Sequence, residues 1–149
     1  MRSLFLTAAL LACALTTGCG SGINLDEPIE GPVWQLDQLG DMLIEPSSDP
    51  QRIARIQFDG SSGRVSGSGG CNRISGTFQR SGSALKLSQM GATRMACADE
   101  ATRINESQFF AALQSTASYR LQGRSRLALL DANGRTVATL SAGSAPVSR

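Results

Sequence analysis

The chain has 149 residues, a formal net charge of +2 and no histidine. This length predicts one domain with a single ordinary core. The near balance of charge and the lack of a basic run argue against nucleic-acid binding. Because histidine is the commonest general base and metal ligand, its absence disfavours most catalytic hypotheses, and we expect no metal and no cofactor.

Residues 1–18 have the pattern of a lipoprotein signal peptide. Arg2 precedes an apolar stretch at residues 4–15, which as a helix would be about 18 Å long, against a hydrocarbon core of about 30 Å. The following LTTGC resembles a bacterial lipobox, which implies that Cys19 is lipidated and anchors the protein. The alternative is an ordinary secretory leader with an unmodified Cys19.

The segments on either side of the body are polar and aperiodic. We expect residues 19–30 to form a tether between membrane and domain, and residues 142–149 to form a flexible tail. Gly20 stands where aspartate would favour inner-membrane retention. This favours an outer-membrane anchor in a bacterial envelope, with the domain facing the periplasm.

The body alternates apolar and polar residues with the period of two that is typical of β-strands. Trp34 and Leu36, for example, would face a core, with Gln35 and Asp37 facing solvent. The pattern predicts strands at residues 33–39, 54–60, 74–79, 84–88, 119–123, 126–134 and 136–140. Turn signals such as DGSSG and RSGS separate them. We therefore expect a mainly β domain, an antiparallel meander that forms a partly open barrel or sandwich.

Residues 98–117 break this alternation and predict one α-helix. The segment has no glycine or proline, and Phe109, Leu113 and Ala117 recur at helical spacing. Asp99 and Glu100 suit the positive end of the helix dipole, which explains them better than an acid–base pair does. We expect the helix to pack on the sheet and to cover an open end of the barrel.

The stretch GSGGCNRISGTF, at residues 67–78, raises three hypotheses. A phosphate loop is disfavoured because the Lys-Ser/Thr pair and a following helix pattern are missing. A reactive thiol at Cys71 would need a positive neighbour, and only Arg73 and Arg94 are available. In an oxidising compartment, Cys71 would most simply form a disulfide with Cys97, with two free buried thiols as the alternative.

The neighbouring small and polar residues fit a structural role. Gly70 and Gly76 would allow a positive φ or a close approach between strands. Asn72 tolerates left-handed geometry and can form local hydrogen bonds.

GSGGCNRISGTF and TRMAC, at residues 93–97, together resemble the paired signature of the META domain, the family of HslJ-like heat-shock lipoproteins. In that signature a Gly-Cys-Asn is followed by a glycine and an aromatic residue, and a Thr-x-Met-Ala-Cys lies downstream. The resemblance covers residues 31–141, with Phe78 where tyrosine is common. The structural motif positions here are Gly70, Asn72, Gly76, Thr93 and Met95.

The resemblance implies a small β domain with a helix, an envelope location and a link to heat shock, envelope stress and novobiocin resistance. It implies no catalytic activity. We therefore expect a monomeric, non-enzymatic envelope lipoprotein that is bound to the membrane through its lipid and acts on an unidentified envelope protein partner. The alternative is a lipocalin-like carrier of a small apolar ligand, which requires a cavity inside the barrel.

The C-terminal strands carry a cluster of arginines, namely Arg120, Arg124, Arg126 and Arg135. These residues could contact anionic lipid headgroups near the anchor. The simpler interpretation is a solvated strand face.

Overall fold

The computed structural model describes residues 28–143. The predicted signal peptide, Cys19, most of the tether and residues 144–149 lie outside this range. The described chain forms nine strands, one α-helix and one short 3-10 helix at Pro50–Arg52. The strands are β1 Val33–Leu39, β2 Met42–Leu43, β3 Arg55–Asp59, β4 Arg64–Ser68, β5 Arg73–Ser81, β6 Ala84–Ala92, β7 Ser118–Gln122, β8 Arg126–Leu130 and β9 Thr136–Ala142; the helix, α1, is Glu100–Ser115.

All nine strands belong to one antiparallel sheet with the order β2-β1-β3-β4-β5-β6-β7-β8-β9. An additional pairing between β1 and β9 closes this sheet into a ring. The β6–β7 junction is thin, because its described register is a single pair, Ala84 with Ser118. The predicted mainly β, partly open barrel with one helix is therefore confirmed.

Side chains fill the interior of the ring. Trp34, Phe58, Phe78, Phe109, Leu85 and Leu127 all belong to one buried apolar cluster. Phe58 and Phe78 meet edge to face, with ring centroids 5.0 Å apart, which is a favoured aromatic geometry. The period-two pattern thus predicts the inward positions of β1 and β3 correctly, whereas β8 is buried at four consecutive positions.

Two strands differ from the prediction because they lack a clear alternation. β2 has only two residues. β4 has the sequence RVSGS, in which Val65 is the one large apolar residue, and serine and glycine are poor indicators of strand. β8 also ends at Leu130, earlier than expected, because the Asp131 carboxylate accepts backbone N–H groups of Asn133 and Arg135 and forms a turn.

The helix buries Phe109, Ala112 and Leu113. It contacts β1, β6, β8 and β9, strands from several points of the ring, and so lies across one end of the barrel. Ala117, which the helical spacing assigns to the same buried face, is exposed because the helix ends before it. No helix in the described part of the chain is long and apolar enough to cross a membrane.

The N-terminal residues of the described chain close the opposite end of the barrel. Ile29 is completely buried, and its carbonyl accepts a 2.8 Å hydrogen bond from the Trp34 indole. Glu30 forms a 3.1 Å ion pair with Arg80, which also donates to the Tyr119 hydroxyl. Residues 29 and 30, assigned to the tether from sequence, thus pack with the domain. At the C-terminal side of the domain, β9 continues to Ala142, the first residue of the expected tail.

Candidate functional site

A disulfide joins the two segments that the sequence singles out. The Cα atoms of Cys71 and Cys97 are 5.6 Å apart and their sulfurs are bonded, within the usual range of about 4.4–6.8 Å. Cys71 lies in the loop between β4 and β5, and Cys97 lies between β6 and the helix. The predicted disulfide is therefore present, and neither sulfur is a free thiol.

Asn72 is the buried polar centre of this region, with 5% of its surface exposed. Its side-chain oxygen accepts hydrogen bonds from the Thr93 hydroxyl at 2.9 Å and the Met95 backbone N–H at 2.7 Å. Its side-chain nitrogen donates to Oε1 of Glu106 at 2.6 Å. Asn72 therefore forms hydrogen bonds to distant segments and not only local ones. Its φ is not positive: among the described non-glycine residues, only Gln89 has a positive φ.

Glu106 connects the helix to the same loop. Its Oε2 accepts the backbone N–H groups of Cys71 at 3.1 Å and Asn72 at 2.5 Å. Together with the Asn72 amide, three N–H donors converge on one carboxylate. Charge-assisted bonds of this kind are stronger than neutral ones. We call the loop at residues 69–72, the segment at residues 93–97 and Glu106 together the clasp.

Thr93 and Met95 join the clasp through different groups. The Thr93 hydroxyl accepts the Arg73 backbone N–H at 3.0 Å and donates to Asn72. Met95 contributes its backbone, while its side chain is 59% exposed. The residue type at Met95 is therefore not explained by the clasp's hydrogen bonds.

Two glycines of the motif meet different backbone constraints. Gly70 has φ +104°, and a Cβ there would lie 2.9 Å from the Arg52 carbonyl oxygen. Gly76 has no positive φ, but a Cβ there would lie 2.9 Å from the Ser88 carbonyl oxygen and would collide with the Met90 sulfur. Left-handed geometry thus explains Gly70, and close strand approach explains Gly76.

Sequence reasoning missed the role of Glu106, although a signal was present. Glu106 lies three residues before Phe109 and seven before Leu113, which places it on the buried face of the helix. A carboxylate on such a face requires hydrogen-bonding partners. That requirement predicts a polar partner in a neighbouring element but does not identify it.

The donor set of the clasp does not favour a metal. Ligand atoms of Cys71, Cys97 and Glu106 lie within 4.8 Å of one another. Metals bind thiolate, however, and a disulfide offers none. The Glu106 oxygens are moreover occupied by N–H donors.

The helix beside the clasp begins with a capping carboxylate. Asp99 accepts the Thr102 backbone N–H at 2.7 Å and the Thr102 hydroxyl at 2.9 Å. These bonds lower the pKa of Asp99, so the side chain stays ionised at the positive end of the helix. Its predicted position at the start of the helix is confirmed.

The arginines of the C-terminal strands do not form a uniform set of free charges. Arg120 and Arg126 are exposed. Arg135 pairs with Asp131 at 3.0 Å, and a backbone hydrogen bond from Arg135 is the main cause that lowers the pKa of that aspartate.

These features define a class of protein: a small antiparallel barrel with a helix across one end, held in place by a disulfide and a hydrogen-bonded Asn–Glu pair. A sequence profile of the META domain matches residues 27–144. The chain belongs to the META domain family. No curated protein matches it.

Solved structures share the fold. A protein from Burkholderia xenovorans, solved by NMR, is 27% identical with a TM-score of 0.62, over 78% of this chain and 85% of that one. Another NMR structure is 23% identical with a TM-score of 0.59, over 76% and 91% of the two chains. A DUF4847 family protein from Bacteroides vulgatus is 17% identical with a TM-score of 0.54, over 78% and 96%.

Proposed function

We propose that this protein is a non-enzymatic, lipid-anchored envelope protein that supports tolerance of heat and envelope stress, including novobiocin, by binding a protein partner. The observation that supports a non-catalytic role is the state of the clasp. Its most distinctive groups are bonded to one another: the cysteines to each other, and the Asn72 side chain to Glu106, Thr93 and Met95. None of them is poised to attack or to transfer a proton to a substrate.

The clasp has a mechanical role in this proposal. It fixes the loop before β5, the segment after β6 and the helix relative to one another. A surface held in one geometry loses little conformational entropy when it binds a partner. The clasp therefore supports binding by pre-organising the surface around it.

The packed interior argues against the alternative, a carrier of small apolar ligands. Trp34, Phe58, Leu85 and Leu127 are each almost fully buried in a single cluster. A carrier needs an enclosed apolar cavity of several hundred Å3. The large trough beside the clasp is instead open and crosses the outer face of the barrel.

The envelope role is tested in a strain that lacks this gene. We expect reduced survival at high temperature and with novobiocin, restored by the wild-type protein. Cys19→Ser should fail to restore it, because the anchor is lost, whereas the matched leader variant Cys13→Ser should succeed. Survival equal to the parent strain in the deletion mutant would refute the stress role.

Lipidation and partner binding are tested separately. Mass spectrometry of the mature protein should find acyl groups on an N-terminal Cys19; an unmodified Cys19 would refute the anchor. Crosslinking in living cells under heat stress should capture one envelope protein reproducibly. The Cys71→Ala, Cys97→Ala double variant should still give that product in proportion to its folded abundance, because the Asn72–Glu106 hydrogen bond of the clasp remains.

A further inference from the structure

An open trough, with a volume of about 990 Å3, crosses the outer face of β3, β4, β5 and β6 beside the clasp. The trough forms because several outward positions of β4 and β5 carry serine, whose side chain is short. No aromatic residue and no acidic residue is among the described residues that line it. The trough is therefore polar and carries only positive formal charge.

The strand register arranges this lining in two rows. Arg55 pairs with Ser68, and Ser68 pairs with Arg73, so two arginines flank one serine. Two strand spacings separate the arginine backbones, about 10 Å. Because an arginine side chain reaches several ångströms, both guanidinium groups can converge on one ligand above Ser68.

The second row provides neutral hydrogen-bonding groups. Gln57 pairs with Ser66, and Ser66 pairs with Ser75. All three residues line the trough. They offer hydroxyl and amide groups beside the arginine row, suited to the polar atoms attached to an anion.

Neither arginine of the first row is paired with a carboxylate among the described residues. Nη1 of Arg55 donates to the carbonyl oxygens of Pro50 and Ile53, at 2.9 and 3.2 Å, so its charge is held in place without a carboxylate. Arg73 is exposed, and its guanidinium has no hydrogen-bonding partner among residues 28–143. Ser68 Oγ accepts the Gly70 backbone N–H at 3.1 Å, which leaves the hydroxyl hydrogen to donate.

We propose that this trough binds a phosphate group, carried by a small polar molecule or by a lipid headgroup. Guanidinium forks match the oxygens of phosphate and form charge-assisted hydrogen bonds to them. The inference is independent of the stress role proposed above, because it rests on the trough residues alone.

The test is an NMR titration of the purified, disulfide-bonded protein with two probes. sn-Glycerol 3-phosphate represents a free phosphate, and dihexanoylphosphatidylglycerol below its micelle concentration represents a lipid headgroup. We expect saturable shifts at the amides of Ser66, Ser68 and Ser75 with at least one probe. The probe that binds more tightly identifies the source of the phosphate.

Variants separate a built site from general attraction to positive charge. Arg73→Gln should weaken binding about tenfold, the effect of losing a charged hydrogen bond. The matched control Arg120→Gln removes an exposed arginine from β7 and should leave affinity unchanged. Ser75→Asp, a second variant, should abolish binding by adding a negative charge to the trough.

Three results would overturn the proposal. The first is the absence of saturable shifts in the trough with both probes. The second is equal weakening by Arg73→Gln and Arg120→Gln, which would indicate non-specific attraction. The third is unchanged binding in both Arg73→Gln and Ser75→Asp, each verified as folded by its NMR spectrum.

Discussion

The side-chain nitrogen of Asn72 lies 2.6 Å from Oε1 of Glu106, 34 positions later in the chain. Asn72 precedes β5, whereas Glu106 projects from the helix, so this bond and the two backbone bonds to Oε2 attach the helix to the barrel wall. The apolar face of the helix alone could pack with some variation in its position. The Asn72–Glu106 pair selects one position.

Glu106→Gln should lower the free energy of unfolding by about 2–3 kcal/mol. The substitution removes the negative charge and replaces one acceptor oxygen by an NH2 group, which would face N–H donors. Urea denaturation would measure this. The matched control is Glu100→Gln on the same helix, whose exposed ion pair with Arg103 contributes little. Equal stability of the two variants would contradict the role assigned to Glu106.

Removal of the disulfide by Cys71→Ala with Cys97→Ala should lower the free energy of unfolding by about 3–4 kcal/mol, as expected for closing a loop of this length. The molecules of the double variant that remain folded should still support stress resistance. Reductant should destabilise the wild-type protein and leave the double variant unchanged. Loss of stress resistance at unchanged folded abundance would revive the thiol hypothesis.

Gly70→Val and Gly76→Val should each lower the free energy of unfolding by about 1–3 kcal/mol, through backbone strain at Gly70 and overpacking at Gly76. Gly91→Val is the matched control, because a Cβ at Gly91 in the same sheet would meet no atom within 4 Å. Thermal melts of the three variants would compare them. A melting temperature that fell as far in Gly91→Val as in the others would show that the effect is not specific.

Stability should decrease in acid as Asp59 takes up a proton. Hydrogen bonds from the hydroxyl groups of Ser61 and Ser62 are the main causes that lower its pKa from 3.8 to about 2. Because the folded pKa is the lower one, this contribution is complete above the unfolded pKa and is lost as pH falls through about 2. Denaturation at several pH values should show a shallower loss in Asp59→Asn than in the wild type. Identical slopes would contradict this assignment.

The barrel could be predicted from sequence where burial alternates strictly. Trp34 and Leu36 on β1, and Ile56 and Phe58 on β3, show the pattern and occupy the core. The alternation is not visible at β4, where Val65 is the one large apolar residue and Gly67 occupies the next inward position. There the strand is defined by its neighbours rather than by its own composition.

The clasp could be predicted only in part. The two cysteines that follow the predicted leader imply a disulfide on the expectation that the chain is exported. The Asn72–Glu106 contact could not be derived in the same way, because no local pattern relates a loop residue to a distant helix residue. The Glu30–Arg80–Tyr119 group was missed for the same reason, since its members come from three separate segments.

The pairing of β1 with β9 has a consequence for the order of folding. The Ser141 hydroxyl donates to Asp37 across 104 positions of sequence, and the strands that carry these residues, β9 and β1, pair directly. Such a pairing closes a long loop of chain, and contacts between distant parts of a sequence slow folding. Until β9 pairs with β1, the apolar face of Trp34 and Leu36 lacks the strand that closes the ring. The partly folded domain is therefore most exposed to aggregation before this last pairing forms.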